Sequence, residues 1–199
     1  MLIWVCALHC EAKPVIDLYR LKKSSQKTEF DLYQNNDISC IVSGMGADNM
    51  SRAVRWGNNQ FHQHNNLCWI NLGIAGHKNL PVGTGVLINQ ASLNENKDAL
   101  NTQTDIKHSF ESKSVISISH EQTEYHEDSL FDMEAHAFLT MTRTFSPLYL
   151  CQSIKIISDN SESPPTRNKA KISQLIADNM QQISEFADLL HHSAGAPLT

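Results

Sequence analysis

Basic residues are in the minority here: 16 lysines and arginines against 21 acidic residues leave a net charge of -5. The two basic clusters, Lys22-Lys23 and Arg167 to Lys171, are short and read as solvated surface, so the chain lacks the electrostatic footprint of a nucleic-acid binder. Long apolar runs are equally scarce. Residues 2–8, Leu-Ile-Trp-Val-Cys-Ala-Leu, have no basic flank and are too short to span a bilayer. They read as a buried strand, and neither a signal peptide nor a membrane partner is expected. The five cysteines are odd in number and sit mostly in apolar runs. This implies no disulfide framework and fits reduced thiols in a cytoplasmic protein.

Several catalytic signatures are also missing. Gly44-Met45-Gly46 follows an apolar run but is joined neither by a third glycine at dinucleotide-binding spacing nor by the Lys-Ser/Thr of a P-loop. His120-Glu121 with His126 is not a His-Glu-x-x-His motif, because Glu124 stands at the second ligand position. Cys6, His9 and Cys10 suit a strand end better than a metal site, and His191-His192 reads as a solvated helix end. No Gly-x-Ser-x-Gly elbow and no internal repeat is present.

What the chain does contain is enough apolar residue, 41%, for one domain over residues 1–199. Pro14, followed by Val15, Ile16, Leu18, Tyr19 and Leu21, predicts a helix beginning near that proline, which leaves Glu11 at a strand-to-helix junction. Residues 28–34 and 38–43, separated by Asn35-Asn36-Asp37, predict a hairpin. Asp48 or Asn49 is the expected cap of a helix with Met50, Ala53, Val54 and Phe61 facing inward. Residues 67–72 and 86–89 predict buried strands, and Gly73 and Gly76 allow close backbone approach. Residues 91–114 are polar and carry no clear periodicity. Asp132 is placed to cap a helix over 133–145, which Pro147 stops. Residues 148–158 predict a strand kinked near Gln152-Ser153, 161–167 a linker, and Ile172 to Leu190 one long amphipathic closing helix with a frayed tail after His192. Strand-helix-strand order of this kind predicts an α/β domain with a mostly buried sheet.

Three acids share a place in this plan. Glu11 follows the first strand, Glu134 stands at a helix entrance, and Asp159 ends the last strand. Carboxylates at the strand ends of one sheet can converge on a crevice, one donating a proton while another activates water. Glu134 also has a plain explanation, because a carboxylate in a first turn interacts favourably with the helix dipole.

The fragments Ala7-Leu8-x-x-Glu11-Ala12, Ser43-Gly44-Met45-Gly46, Asn71 to Gly76, Asp132-Met133-Glu134-Ala135 and Ile157-Ser158-Asp159 occur in the order seen in the purine nucleoside phosphorylase and nucleosidase superfamily. The chain resembles most its methylthioadenosine/S-adenosylhomocysteine nucleosidase branch, except between about Asn94 and Asp128. The resemblance implies a three-layer α/β/α domain with a central mixed twisted sheet. It also implies a homodimer without metal or organic cofactor, acting on a small-molecule nucleoside. By the same resemblance Asp159, aided by Ser158, protonates or hydrogen-bonds the purine N7. Glu134 holds the ribose hydroxyls with Met133 against the sugar, Glu11 orients the attacking water, and the backbone of Ala75 and Gly76 lines the site.

The departures set the reaction. A phosphorylase of this superfamily needs a glycine-rich N-terminal loop and arginines, whereas here His9-Cys10-Glu11 occupies that loop and no arginine precedes Arg20. Hydrolysis of a 5′-substituted adenosine or related nucleoside is therefore expected. The alternatives are a phosphate-dependent phosphorylase or a non-catalytic nucleoside-binding relative. Ile74 stands where many relatives carry a small hydroxyl residue. Tyr125, Phe131 and Phe110 are candidates for stacking on the base, with surface or core packing as the alternative for each.

Overall fold

The computed structural model describes residues 1–94, 99–102, 104–122 and 124–195. Its first strand, β1 (Leu2–Cys6), is buried on both faces. Leu2, Trp4 and Cys6 enter one apolar cluster, and Ile3 and Val5 enter the other. This is why the run is continuously apolar instead of alternating. Helix α1 (His9–Leu18) follows, and after the short strand β2 (Lys22–Lys23) come β3 (Asp31–Gln34) and β4 (Ile38–Val42), the expected antiparallel hairpin. Helix α2 (Ala47–Phe61) leads into β5 (Cys68–Gly76), then β6 (Gly85–Leu93), β7 (Leu100–Asn101), β8 (Glu111–Ser117) and β9 (Leu130–Asp132). Helix α3 (Ala135–Thr142), β10 (Cys151–Asp159), α4 (Lys169–Ala177) and α5 (Met180–Ser193) complete the order.

The sheet is mixed. β5 lies between β1 and β10, parallel to both, and β4 flanks β1. β10 also pairs antiparallel with β6, which runs parallel to β8, itself parallel to β9. β9 returns to β5 through the pair Gly76 and Phe131, so this half of the sheet closes on itself. One face carries α1, α4 and α5 through Cys10, Ala12, Val15, Ile172, Ile176, Ile183, Phe186 and Leu190. The other carries α2 and α3 through Met50, Ala53, Val54, Phe61, Phe138 and Leu139. The result is the expected three-layer α/β/α arrangement. Among the described residues no helix is long and apolar enough to cross a membrane.

Several boundaries differ from the sequence expectation. α1 starts at His9, five residues before Pro14, because the Glu11 carboxylate accepts the Leu8 N–H at 2.8 Å and stabilises an earlier first turn. α2 is preceded by Gly46 without a side-chain cap, so neither Asp48 nor Asn49 takes that role. The strands expected at 67–72 and 86–89 run on to Gly76 and Leu93. α3 covers only Ala135–Thr142, although Asp132 does accept the Ala135 N–H at 2.8 Å. Residues 148–150 form a 3-10 turn after Pro147, and Gln152 and Ser153 pair regularly with Ile70 and Asn71. The irregularity of β10 lies between Ile157 and Asp159 instead. The closing helix is two helices, because the Asn179 amide donates to the carbonyls of Leu175 and Gly83, both at 2.9 Å, and competes with the helical ladder. Of the tail expected to fray, residues 196–199 lie outside the described residues.

Candidate active site

A cavity of about 540 Å³ opens where β1, β5, β9 and β10 end. Glu11, Ala75, Gly76, Met133, Glu134, Ser158 and Asp159 all line it, so the fold brings these seven residues together. Each is placed by a local device. Glu11 is folded back onto backbone, accepting the N–H of Leu8 at 2.8 Å and that of Ile74 at 3.1 Å. Gly73 makes this possible: a Cβ there would lie 3.0 Å from Glu11 Oε1 and 3.5 Å from Lys155 Nζ. Glu134 reaches across to the N-terminus of α2, where its Oε1 accepts the Gly46 N–H at 2.6 Å. Gly44 and Gly46 have φ of 83° and 93°, a left-handed conformation that glycine adopts without strain. The bulge in β10 inserts Ser158 between the pairs Ile157/Ala75 and Asp159/Gly76, turning the strand end toward the cavity. There the Ser158 hydroxyl donates to Asp159 Oδ1 and the Tyr125 hydroxyl to Asp159 Oδ2.

Beneath the floor lies a charge cluster. The Lys155 ammonium on β10 is buried and contacts Asp132 Oδ2 at 2.7 Å. Asp132 also accepts the Ser117 hydroxyl at 2.6 Å, and that hydroxyl takes the His136 N–H at 3.0 Å. Burial alone would discharge Lys155, but Asp132, Glu134 and Glu11 outweigh it and hold its pKa above the usual lysine range. Burial raises Glu11 against the opposing pull of Lys155 and the two backbone N–H groups. Burial and the Asp132 charge push Glu134 up to about 7, with Lys155 and the Gly46 N–H opposing. Three carboxylates thus share one ammonium, an environment that favours added positive charge in the cavity.

No protein-family model matches the sequence, and no curated protein is similar to it. Solved structures are similar across nearly its whole length. An MTAN from Chlamydia trachomatis is 23% identical over 93% of this chain and 98% of that one, with a TM-score of 0.67. The Arabidopsis thaliana 5′-methylthioadenosine nucleosidase is 12% identical over 95% of each chain, with a TM-score of 0.75. The futalosine hydrolase of Helicobacter pylori is 14% identical over 92% of this chain and 97% of that one, with a TM-score of 0.71. The fold is the nucleosidase fold. At these identities the likeness is one of architecture, and the chemistry rests on the residues in the cavity.

On the nucleosidase fold the sequence reading missed two cavity-floor groups. Lys155 was hidden because a lysine between Ile154 and Ile156 looks like an ordinary outward-facing strand position. Asp132 was seen only as a helix cap, yet it also holds the buried ammonium. Phe110 is not near the site: it packs on Phe186 and His108, 6.0 and 6.2 Å between ring centroids. Tyr125 and Phe131 do line the cavity and lie against each other, 5.4 Å between centroids. Among the described residues no group of three or more His, Cys, Asp or Glu side chains is arranged to hold a metal ion.

Proposed function

We propose that residues 1–199 form a single nucleosidase domain that hydrolyses the N-glycosidic bond of a 5′-substituted adenosine or related purine nucleoside. The observation that carries this reading is the convergence of Glu11, Glu134 and Asp159, all buried, on one nucleoside-sized cavity. In this reading Asp159 protonates N7 so that the base departs neutral, with Ser158 fixing the carboxyl. Glu134 accepts from the ribose hydroxyls, Met133 packs on the sugar, and Glu11 orients the attacking water. The carboxylate excess on the floor stabilises the oxocarbenium character that develops as the bond breaks. Ala75 and Gly76 present backbone to the base. The resemblance on which the sites rest also points to a cytoplasmic homodimer, which size-exclusion chromatography with light scattering can check.

Product analysis separates this reading from its rivals. With a panel of purine nucleosides, free base and free ribose are expected whether or not phosphate is present. Phosphate-dependent turnover to ribose 1-phosphate would establish a phosphorylase instead, and purine binding without base release a non-catalytic relative. Arg167 also lines the cavity, but its guanidinium pairs with Glu121 at 2.9 Å.

Glu134 gives a pH test. Only its ionised form can stabilise the ribosyl cation, so kcat/KM is expected to rise with pH through about 7, the value to which burial and Asp132 push it in the free protein. Stability runs the other way. A carboxyl raised on folding contributes fully below its unfolded pKa, and that contribution is lost as pH rises through the folded value. Glu134→Gln should therefore abolish the rising limb, lower kcat/KM for ribosides and flatten part of the stability decline between pH 4.5 and about 7. 2′-Deoxy substrates should lose less. An unchanged pH profile in the Gln variant would leave the helix-dipole explanation of Glu134 standing.

A further inference from the structure

Tyr125 stands where the nucleosidase reading seats the base. It places its hydroxyl on Asp159 Oδ2 and so close to Gly76 that a Cβ at position 76 would collide with it. With Ser158 on Oδ1, both oxygens of the Asp159 carboxyl are engaged. The tyrosine ring lies beside Phe131, one residue before Asp132 and directly paired with Gly76. The Gly76 backbone and Asp159 Oδ2 are the two surfaces that the nucleosidase reading gives to the departing base, so a purine and the Tyr125 phenol cannot hold them together. We propose that Tyr125 is a built-in competitor for the base, its O–H taking the place of the protonated N7–H on Asp159 until a purine displaces it. This rests on the nucleosidase reading of the cavity.

The surroundings suit a side chain that moves while its flanks stay. Asp128, three residues on, is tied to His77 at 3.2 Å and to Lys113 at 2.9 Å. His77 is buried and its Nδ1 accepts the N–H groups of Asn79 and Leu80, which leaves the proton on Nε2 for Asp128. On the other flank Glu121 pairs with Arg167. Tyr125 Oη also lies 3.0 Å from the Gln122 carbonyl. A hydroxyl has one proton, so on release from Asp159 it can donate to that carbonyl without being left unpaired.

A conformation that must be vacated before the ligand enters weakens apparent affinity by the fraction of protein already vacated. Tyr125→Phe keeps the ring beside Phe131 and removes the hydroxyl. Given the strength of hydrogen bonds to charged groups, adenine Kd and substrate KM should each fall by roughly ten- to a hundredfold. In the ligand-free protein, amide hydrogen exchange over residues 124–131 should be faster in the variant. Tyr125→Leu serves as the second variant and should show the same directions, because it too lacks the hydroxyl. If exchange is the same in parent and variants, the Tyr125 tether is absent and the proposal fails whatever the enzyme does. If exchange rises but adenine binds no tighter, while Asp159→Asn loses adenine binding, the competition is refuted and the nucleosidase reading stands. If neither parent nor variants bind adenine or release any base, both are overturned.

Discussion

Asparagine in place of Asp159 should slow base release from purine ribosides by about two to four orders of magnitude in kcat, the range for losing a positioned general acid. The expectation follows from the placement. Asp159 sits on the bulge at the end of β10, buried, with its carboxyl between the hydroxyls of Ser158 and Tyr125. An amide is nearly the same size and still accepts from one of those hydroxyls, so the fold should hold, and a circular dichroism melt close to that of the parent checks this. What the amide cannot do is deliver an acidic proton to N7. Substrates whose leaving group needs no proton separate this role from simple binding: a riboside of an activated phenol should lose far less than a purine riboside. A folded Asp159→Asn protein that releases adenine at a near-normal rate would remove Asp159 from the mechanism.

The parts of this protein legible in its sequence are those where a local pattern and a global requirement coincide. β1 is continuously apolar because it is covered on both faces, and the β3–β4 hairpin follows from alternation broken by Asn35-Asn36-Asp37. Glu11, Glu134 and Asp159 stood out because each follows a strand or opens a helix; the first two carboxylates meet backbone N–H groups there, and the third meets the Ser158 and Tyr125 hydroxyls. The losses occurred where tertiary contact overrides local preference. Pro14 is tolerated inside α1 because Glu11 closes the first turn well upstream of it. The break at Asp178-Asn179 depends on the carbonyl of Gly83, 96 residues away in the chain, which no periodicity reports. Residues 91–114 looked polar because β6, β7 and the start of β8 lie where one face is solvated: Gln90 and Asn101 pair side by side at 3.0 Å on that exposed face. Lys155 was invisible for a related reason. Its neighbours Ile154 and Ile156 enter the core, and alternation assigns the residue between them to solvent, whereas in a sheet covered on both faces it points into the other layer.

That hidden lysine carries the largest expected effect on stability. Lys155→Met preserves length and apolar stem but leaves Asp132, Glu134 and Glu11 buried around a site without its cation. Removing one partner of a buried ion pair typically costs about 3–5 kcal/mol, because the remaining charge must be left uncompensated or take up a proton. For a chain of this size, about 3–5 kcal/mol corresponds to a fall in Tm on the order of 10 °C. The loss should depend on pH in a definite direction. Without Lys155 the opposition to burial disappears, the Glu11 and Glu134 carboxyls rise further, and the variant should be least handicapped at low pH, where both are neutral, and increasingly handicapped as pH rises. In the proposed mechanism activity should fall with it, since that mechanism uses Glu11 and Glu134 in their ionised forms. A second substitution distinguishes charge from packing: Asp132→Asn added to Lys155→Met removes the group in contact with the ammonium at 2.7 Å and should recover part of the lost stability. Asp132→Asn alone should destabilise, because it strips Lys155 of that contact. Additive losses in the double variant, or a Lys155→Met melt that does not vary with pH, would show that Lys155 acts by filling space beneath the cavity and not by holding its carboxylates in charge.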